Sequence, residues 1–124
     1  MILEIDDTKK LTDIQERFSL CFPSLKLEFC QKKHKWEGIC PESQFMDSDL
    51  RIGSIRKIHN PGTIEIKSWD KVGEVERDFY QKFGLNVQIC YMCGPRWIQT
   101  GKSDNITLDS LQKKSFKYPV IGIL

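Results

Sequence analysis

The fold is decided by residues 63–100, which read TIEIKSWDKVGEVERDFYQKFGLNVQICYMCGPRWIQT. Polar and apolar residues alternate over 63–67 and again over 87–91, which is the period of a half-buried strand. Between these runs lies a helical stripe, because four apolar residues recur at spacings of three and four: Val72, Val75, Phe79 and Phe83. Gly84 follows, where a left-handed helix end favours glycine. The stretch therefore predicts a strand, a helix and a second strand.

The remaining residues of this stretch predict a hairpin and a polar helix face. Gly94 and Pro95 are a turn signal, so residues 96–100 are expected to pair back on the preceding strand. The charged residues between the apolar positions of the helix are expected to form a solvated face: Glu74, Glu76, Arg77, Asp78 and Lys82.

An earlier copy of the pattern begins at the N-terminus. Residues 2–5 resemble the first strand, residues 25–29 alternate like the second, and Pro23 stands in the place of Gly84. The stripe of the intervening helix has the same spacing as in the later copy: Leu11, Ile14, Phe18 and Phe22. The second loop is one residue longer in the later copy. We therefore predict an internal duplication, with halves at about 1–30 and 63–100.

Two compact strand–helix–strand units favour an α+β fold in a single domain, 1–124. Each unit is expected to make a right-handed crossover between parallel strands, and each helix has one apolar stripe to bury against a sheet. The expected architecture is a two-layer, ferredoxin-like sandwich with both helices on one face of a single sheet. The alternative is a β-grasp-like arrangement in which the Gly94 hairpin carries more of the sheet.

Composition places the chain among ordinary globular proteins. Hydrophobic residues make up 40% and charged residues 29% of its 124 residues, and the net charge is +2. No apolar run approaches the ~18 residues of a membrane span, so no membrane association is expected. The five cysteines lack a framework spacing, and no secretory signal is expected. These features predict reduced thiols and a cytoplasmic location.

Several stretches resemble a family of small uncharacterised bacterial proteins. The stretches are residues 11–29, His34-Lys35, residues 83–88, Trp97 and Thr107-Leu108, so the resemblance spans most of the chain. It implies a single cytosolic α+β domain with no assigned activity and no catalytic residues. It also implies no requirement for cysteine at positions 30, 40, 90 or 93.

The longest irregular segment, residues 31–49, is the first candidate site. Its front half combines cations with an aromatic ring, through Lys32, Lys33, His34, Lys35 and Trp36. The hairpin adds the same combination with Arg96 and Trp97. Cationic side chains bind phosphates and rings stack on bases, so RNA or DNA binding is one alternative function.

Cysteine and histidine positions suggest a second alternative, a zinc-stabilised adaptor. Cys90 and Cys93 have the spacing of a zinc knuckle, and a tetrahedral set can be completed by Cys30, His34 and Cys40. A two-cysteine pair alone is weak evidence, so structural thiols are the simpler interpretation.

The primary functional prediction is a non-enzymatic protein-interaction module. Several large side chains lie off the helical stripes, where such residues serve as interface anchors: Trp36, Phe45, Met46, Trp69, Tyr80 and Trp97. No nucleophile, glycine-rich loop or carboxylate pair suggests catalysis, and no cofactor is expected. The partner is another protein or a second copy, bound through residues 31–49 and the hairpin at 93–97.

Overall fold

The computed structural model of the protein describes residues 1–33, 38–101 and 104–116. Its strands are β1 (Ile2–Ile5), β2 (Leu25–Phe29), β3 (Gly62–Glu65), β4 (Val87–Cys93) and β5 (Arg96–Gln99). Its helices are α1 (Leu11–Cys21), α2 (Ile52–Ile55), α3 (Val72–Phe83) and α4 (Leu108–Phe116), and a turn of 3-10 helix spans Glu42–Gln44. The predicted α+β class is confirmed.

The strands form two antiparallel sheets, so the prediction of one sheet with parallel strands in each unit is wrong. β1 pairs with β3, and β4 lies between β2 and β5. The first four strands thus pair with their counterparts in the other half, β5 pairs with β4 of its own half, and the two strands joined by one helix lie in different sheets. The ferredoxin-like sandwich, which needs both units in one sheet, is therefore not confirmed, and the β-grasp-like alternative stays a prediction.

The strand registers relate the two halves to each other. Leu3 lies directly opposite Ile64, its counterpart in the second half. In the larger sheet Leu27 lies directly opposite Ile89, which is again its counterpart. Counterparts thus face each other in two antiparallel pairs, one in each sheet.

The start of each helix is held by a neighbouring turn of the chain. The N–H of Leu11 donates to the carbonyl of Leu50 at 2.9 Å, and that of Ile52 donates to the carbonyl of Lys9 at 2.8 Å. Further along the chain, α3 and α4 begin side by side in the same way, bridged at Lys71 and Thr107. Backbone carbonyls of neighbouring turns thus accept hydrogen bonds from N–H groups in the first turn of each helix. These groups are usually satisfied by a capping side chain or by water.

Predicted helical stripes from both halves meet in one core. The stripe residues of α1 and α3 are buried together with the inward residues of the strands. Gly84 ends α3 in the left-handed conformation with φ of 64°, as predicted. A Cβ at this position would lie 2.7 Å from Cγ1 of Ile58, so the glycine also allows close packing. None of the described helices combines the length and apolar character needed to cross a bilayer.

Candidate functional site

The hairpin at the end of β4 builds the most accessible part of the candidate site. Gly94 has φ of 59°, which glycine adopts without steric cost, and it lets β4 reverse directly into β5. Met92 lies opposite Trp97, and Cys93 lies opposite Arg96. The hairpin therefore places Arg96 and Trp97 on the outermost strand of the larger sheet.

β5 has a free edge, since within the described ranges it pairs with β4 alone. The N–H of Thr100 donates to the carbonyl of Ile89 at 3.2 Å, which sets the alternation of the ladder. In an antiparallel pair every second residue exchanges hydrogen bonds with the partner strand, and the intervening residues point away. It follows that Ile98 bonds to β4, whereas the backbone groups of Trp97 and Gln99 point outward from the sheet.

Apolar side chains flank this free edge. Met92 is 39% exposed, and Trp97 and Ile98 are each 37% exposed. By strand alternation, Met92 and Trp97 lie on the outer face of the sheet, and Ile98 lies on the face that carries the core. An extended chain placed along β5 would cover these side chains on both faces.

Cations are held against aromatic rings beside β5. Nζ of Lys26 lies 5.0 Å from the ring centroid of Trp97 on the outer face. Nζ of Lys114 lies 5.1 Å from the ring centroid of Tyr91, which is opposite Ile98 in the ladder. The edge thus has a positive charge near each of its faces, in addition to the exposed Arg96.

Part of the outer face is covered by the described end of the 31–49 segment. The N–H of Cys40 donates to Oε1 of Gln99 at 2.8 Å, and Nε2 of Gln99 donates to the carbonyl of Cys40. Cys40 is also joined to Cys30 by a disulfide, with the two Cα atoms 6.4 Å apart. The segment is therefore fixed to β2 by a covalent bond and to β5 by an amide side chain.

The disulfide corrects the prediction that all thiols are reduced. Cys30 and Cys40 are ten positions apart, and only the tertiary fold brings their Cα atoms within bonding range. The same bond removes both sulfurs from the hypothetical zinc set, because a zinc ligand must be a thiolate. Cys90 is buried, and burial raises the pKa of its thiol to about 12. Within the described ranges, no group of three or more His, Cys, Asp or Glu side chains could hold a metal.

The predicted basic and aromatic residues are divided between surfaces. Lys32 is exposed, and Nζ of Lys33 lies 4.0 Å from the ring centroid of Tyr80 on α3. His34, Lys35 and Trp36 lie outside the described residues. The structure thus places Lys33 against α3, whereas Arg96 and Trp97 lie on β5. Binding of RNA or DNA stays a prediction.

A buried polar cluster in the second half was not found from the sequence. Glu76, predicted on a solvated face, is only 7% exposed, and its Oε2 accepts a hydrogen bond from the N–H of Ile89 at 2.9 Å. Nε2 of the buried Gln88 lies 3.0 Å from Oγ1 of Thr100 and 3.3 Å from Oε2 of Glu76. Burial, and then the nearby carboxylate of Asp104, raise the pKa of Glu76 well above its ordinary value.

The position of Glu76 has a counterpart that could have signalled its burial. Gln15 occupies the equivalent position in α1, and its Nε2 donates to the carbonyl of Leu27 at 2.9 Å. Leu27 is the counterpart of Ile89, so both halves use a polar helix residue to bond the adjacent strand. In both copies a polar residue directly follows the second apolar residue of the helical stripe: Gln15 follows Ile14, and Glu76 follows Val75. This shared position is the sequence signal for a buried polar side chain.

A second charged cluster ties the two halves together. The buried Arg56 contacts a carboxylate oxygen of Asp7 at 2.8 Å, and its Nη1 donates to the carbonyl of Phe83 at 3.2 Å. The half-exposed His59 reaches the other carboxylate oxygen of Asp7 at 2.8 Å. Hydrogen bonds from Arg56 and His59 outweigh partial burial and lower the pKa of Asp7. This cluster anchors the end of α3 to the first loop, which is a structural role.

A cleft of about 310 Å³ lies between β1 and α1. Its floor is formed by Leu3 and Ile14, and its rim carries two acidic and two basic side chains: Glu4, Asp13, Lys9 and Arg17. Lys9 and Glu4 approach each other to 3.8 Å across the rim. The balanced charges favour neither an anionic nor a cationic ligand, so the β5 edge is the better candidate.

Comparison with protein families, curated proteins and solved structures finds no match to this chain. The resemblance to a bacterial family therefore stays a prediction.

Proposed function

We propose that the protein is a partner-binding module that accepts an extended segment of another protein along the free edge of β5. The observation that carries this proposal is the combination of outward backbone groups at Trp97 and Gln99 with flanking apolar side chains. An added strand would gain main-chain hydrogen bonds from the first feature and side-chain burial from the second.

The geometry of β5 suits strand addition for two reasons. Its outward donors and acceptors repeat at every second residue, which is the spacing that an incoming strand uses. Natural proteins protect free edges with bulges, inward charges or covering segments, and such edges otherwise pair with other chains. Among the described residues, Cys40 covers part of the outer face through its hydrogen bonds to the side chain of Gln99.

The exposed side chains supply anchors of the kind that dominate protein interfaces. Tryptophan is enriched among residues whose truncation costs more than about 2 kcal/mol of binding energy. Trp97 has Met92 as its neighbour on β4 and has its own backbone groups at the free edge. A segment bound along that edge would lie beside the ring of Trp97 and exclude water from it. The hairpin at 93–97 is thus the centre of the proposed interface, with the 31–49 segment at its border.

Strand addition is tested by amide hydrogen exchange with a peptide selected from displayed random nonapeptides. With saturating peptide, the amides of Trp97 and Gln99 should exchange at least tenfold more slowly, because they gain hydrogen bonds. The amide of Ile98 should change little, since it already bonds to β4. Trp97→Pro removes one outward donor without removing a bond to β4, and it should weaken binding at least tenfold.

The matched control for the ring of Trp97 is Trp69, which is 69% exposed and precedes α3. Trp97→Ala should weaken binding by about 2 kcal/mol, whereas Trp69→Ala should leave it unchanged. Failure to select any peptide, or binding that survives Trp97→Pro, would contradict the proposal. Protection of the same amides by self-association alone would identify a second copy as the occupant and overturn the assignment to another protein.

A further inference from the structure

We infer that the segment bound along β5 is acidic, with Asp or Glu residues interspersed among apolar ones. This inference rests on the proposed function and adds the chemistry of the partner. It is carried by the positions of three cations around the edge: Lys26, Arg96 and Lys114.

The cation on the outer face reaches β5 from across the sheet. Lys26 lies opposite Cys90, which lies opposite Gln99 of β5. Its ammonium group is held 5.0 Å from the ring centroid of Trp97. A carboxylate oxygen of Glu28 lies 3.4 Å from the same ammonium and compensates part of its charge. An incoming acidic side chain on this face would meet both a ring and a cation.

Two further cations lie on the other face. Arg96 is exposed and shares a face with Ile98 by strand alternation. Lys114 of α4 stands over Tyr91, the direct neighbour of Ile98 in the ladder. Neither cation forms an ion pair with a carboxylate of the described residues. Arg96 and Lys114 thus leave positive charge for a partner to neutralise.

An added strand would bring its side chains next to these charges. Neighbouring strands lie about 4.8 Å apart, and successive side chains alternate between the faces. Acidic side chains on either face would therefore approach a cation, whereas basic ones would be repelled. Apolar residues between them would cover Trp97 and Ile98. Complementary charge also speeds encounter and selects against wrong partners.

The inference is tested with three pools of nonapeptides that share Val, Phe and Thr. The pools differ only in their remaining residues, which are Asp and Glu, Asn and Gln, or Lys and Arg. We expect the wild-type protein to retain the acidic pool at least tenfold better than the amide pool at about 50 mM salt, where screening is weak. The preference should shrink as salt is raised.

Charge reversal supplies the second measurement. The double variant Arg96→Glu with Lys114→Glu should lose the acidic preference and retain the basic pool instead. The control Lys57→Glu with Lys82→Glu makes the same change of charge on exposed lysines outside this surface, and it should keep the acidic preference. Circular dichroism is the check that both variants remain folded.

The outcomes separate the two proposals. Equal retention of acidic and amide pools, both lost in Trp97→Pro, would overturn the acidic partner while strand addition stands. Retention of no pool would overturn both. A preference for acidic peptides that survives in the Arg96→Glu and Lys114→Glu variant would place binding elsewhere and overturn the inference.

Discussion

At the scale of single residues, the buried carboxyl group of Glu76 is the most informative. Desolvation and the neighbouring carboxylate of Asp104 both favour its protonated form, so its pKa is raised. One of its oxygens accepts the N–H of Ile89, and this bond ties α3 to β4. This hydrogen bond favours the ionised form and opposes part of the shift, but desolvation and repulsion by Asp104 are larger, so ionisation of the carboxyl group destabilises the folded state.

The pH dependence of stability follows from this shift. Between the ordinary value of 4.5 and the raised pKa, the folded state binds more protons than the unfolded state. The contribution of Glu76 is thus fully present below about pH 4.5 and is lost as pH rises through the folded pKa. Glu76→Gln keeps the shape and cannot ionise, so it should gain on the order of 1 kcal/mol over wild type between pH 5 and pH 8.

Urea unfolding at several pH values measures this gain. Glu74→Gln is the matched control, because Glu74 is exposed on the same helix. Its unfolding free energy should follow that of the wild type at every pH. If the unfolding free energies of Glu76→Gln and the wild type differ by the same amount at every pH, then Glu76 is ionised in the folded protein and its pKa is not raised.

At the scale of elements, the 31–49 segment is held at Cys40 by a disulfide and by side-chain hydrogen bonds. The disulfide joins it to Cys30 at the end of β2, and the side chain of Gln99 joins it to β5. Cys90 lies between these anchors in the sheet and is only 1% exposed. Because Cys90 lies on the same face as Gln99, the segment accounts for its burial.

Reduction of the disulfide should loosen this cover. A closed loop of about ten residues contributes about 2 to 3 kcal/mol in the loop-entropy description, so dithiothreitol should lower the unfolding free energy by that amount. Alkylation of Cys90 by iodoacetamide should then become at least tenfold faster, as read by mass spectrometry. Cys21 is exposed and is the internal control, because it should react at the same rate in both states.

A double variant separates this effect from the reagent. Cys30→Ser with Cys40→Ser should expose Cys90 without any reductant. Slow alkylation of Cys90 in that variant would show that Gln99 and the rest of the segment are a sufficient cover.

At the scale of the whole molecule, the two halves are interlocked. β1 has its partner in β3, and β2 has its partner in β4, so neither half contains a complete sheet. Arg56, which lies between the halves, contacts Asp7 in the first half and donates to the carbonyl of Phe83 at the end of α3 in the second. The core likewise takes residues from both halves. Each half alone would expose apolar strand faces and unpaired edges.

The halves should therefore be unable to fold separately. Fragments 1–61 and 62–124 should each lack a cooperative thermal transition by circular dichroism, because the apolar area left to each is too small to offset chain entropy. An equimolar mixture should regain part of the native signal. A cooperative transition in either fragment alone would show that one half has an autonomous core.

Much of the local structure was predictable because its causes are local. The apolar spacing of α1 and α3 follows from helix geometry, and Gly84 ends α3 because glycine tolerates a positive φ. The alternation in β2 and β4 and the hairpin at Gly94 follow from the same short-range rules. The pairing of Cys30 with Cys40 and the burial of Glu76 were not predicted, because both depend on what packs against those residues.

The sequence by itself determined the strand–helix–strand order of the two copies, the stripes that form the core and the placement of Arg96 and Trp97 on a hairpin. Periodicity and turn chemistry act over a few residues, so they can be read along the chain. Only the tertiary structure decided that counterpart strands pair across the two halves and that, among the described residues, β5 pairs along one edge alone. Strand pairing joins residues that are far apart in sequence, and an alternating pattern specifies a buried face without specifying the neighbour.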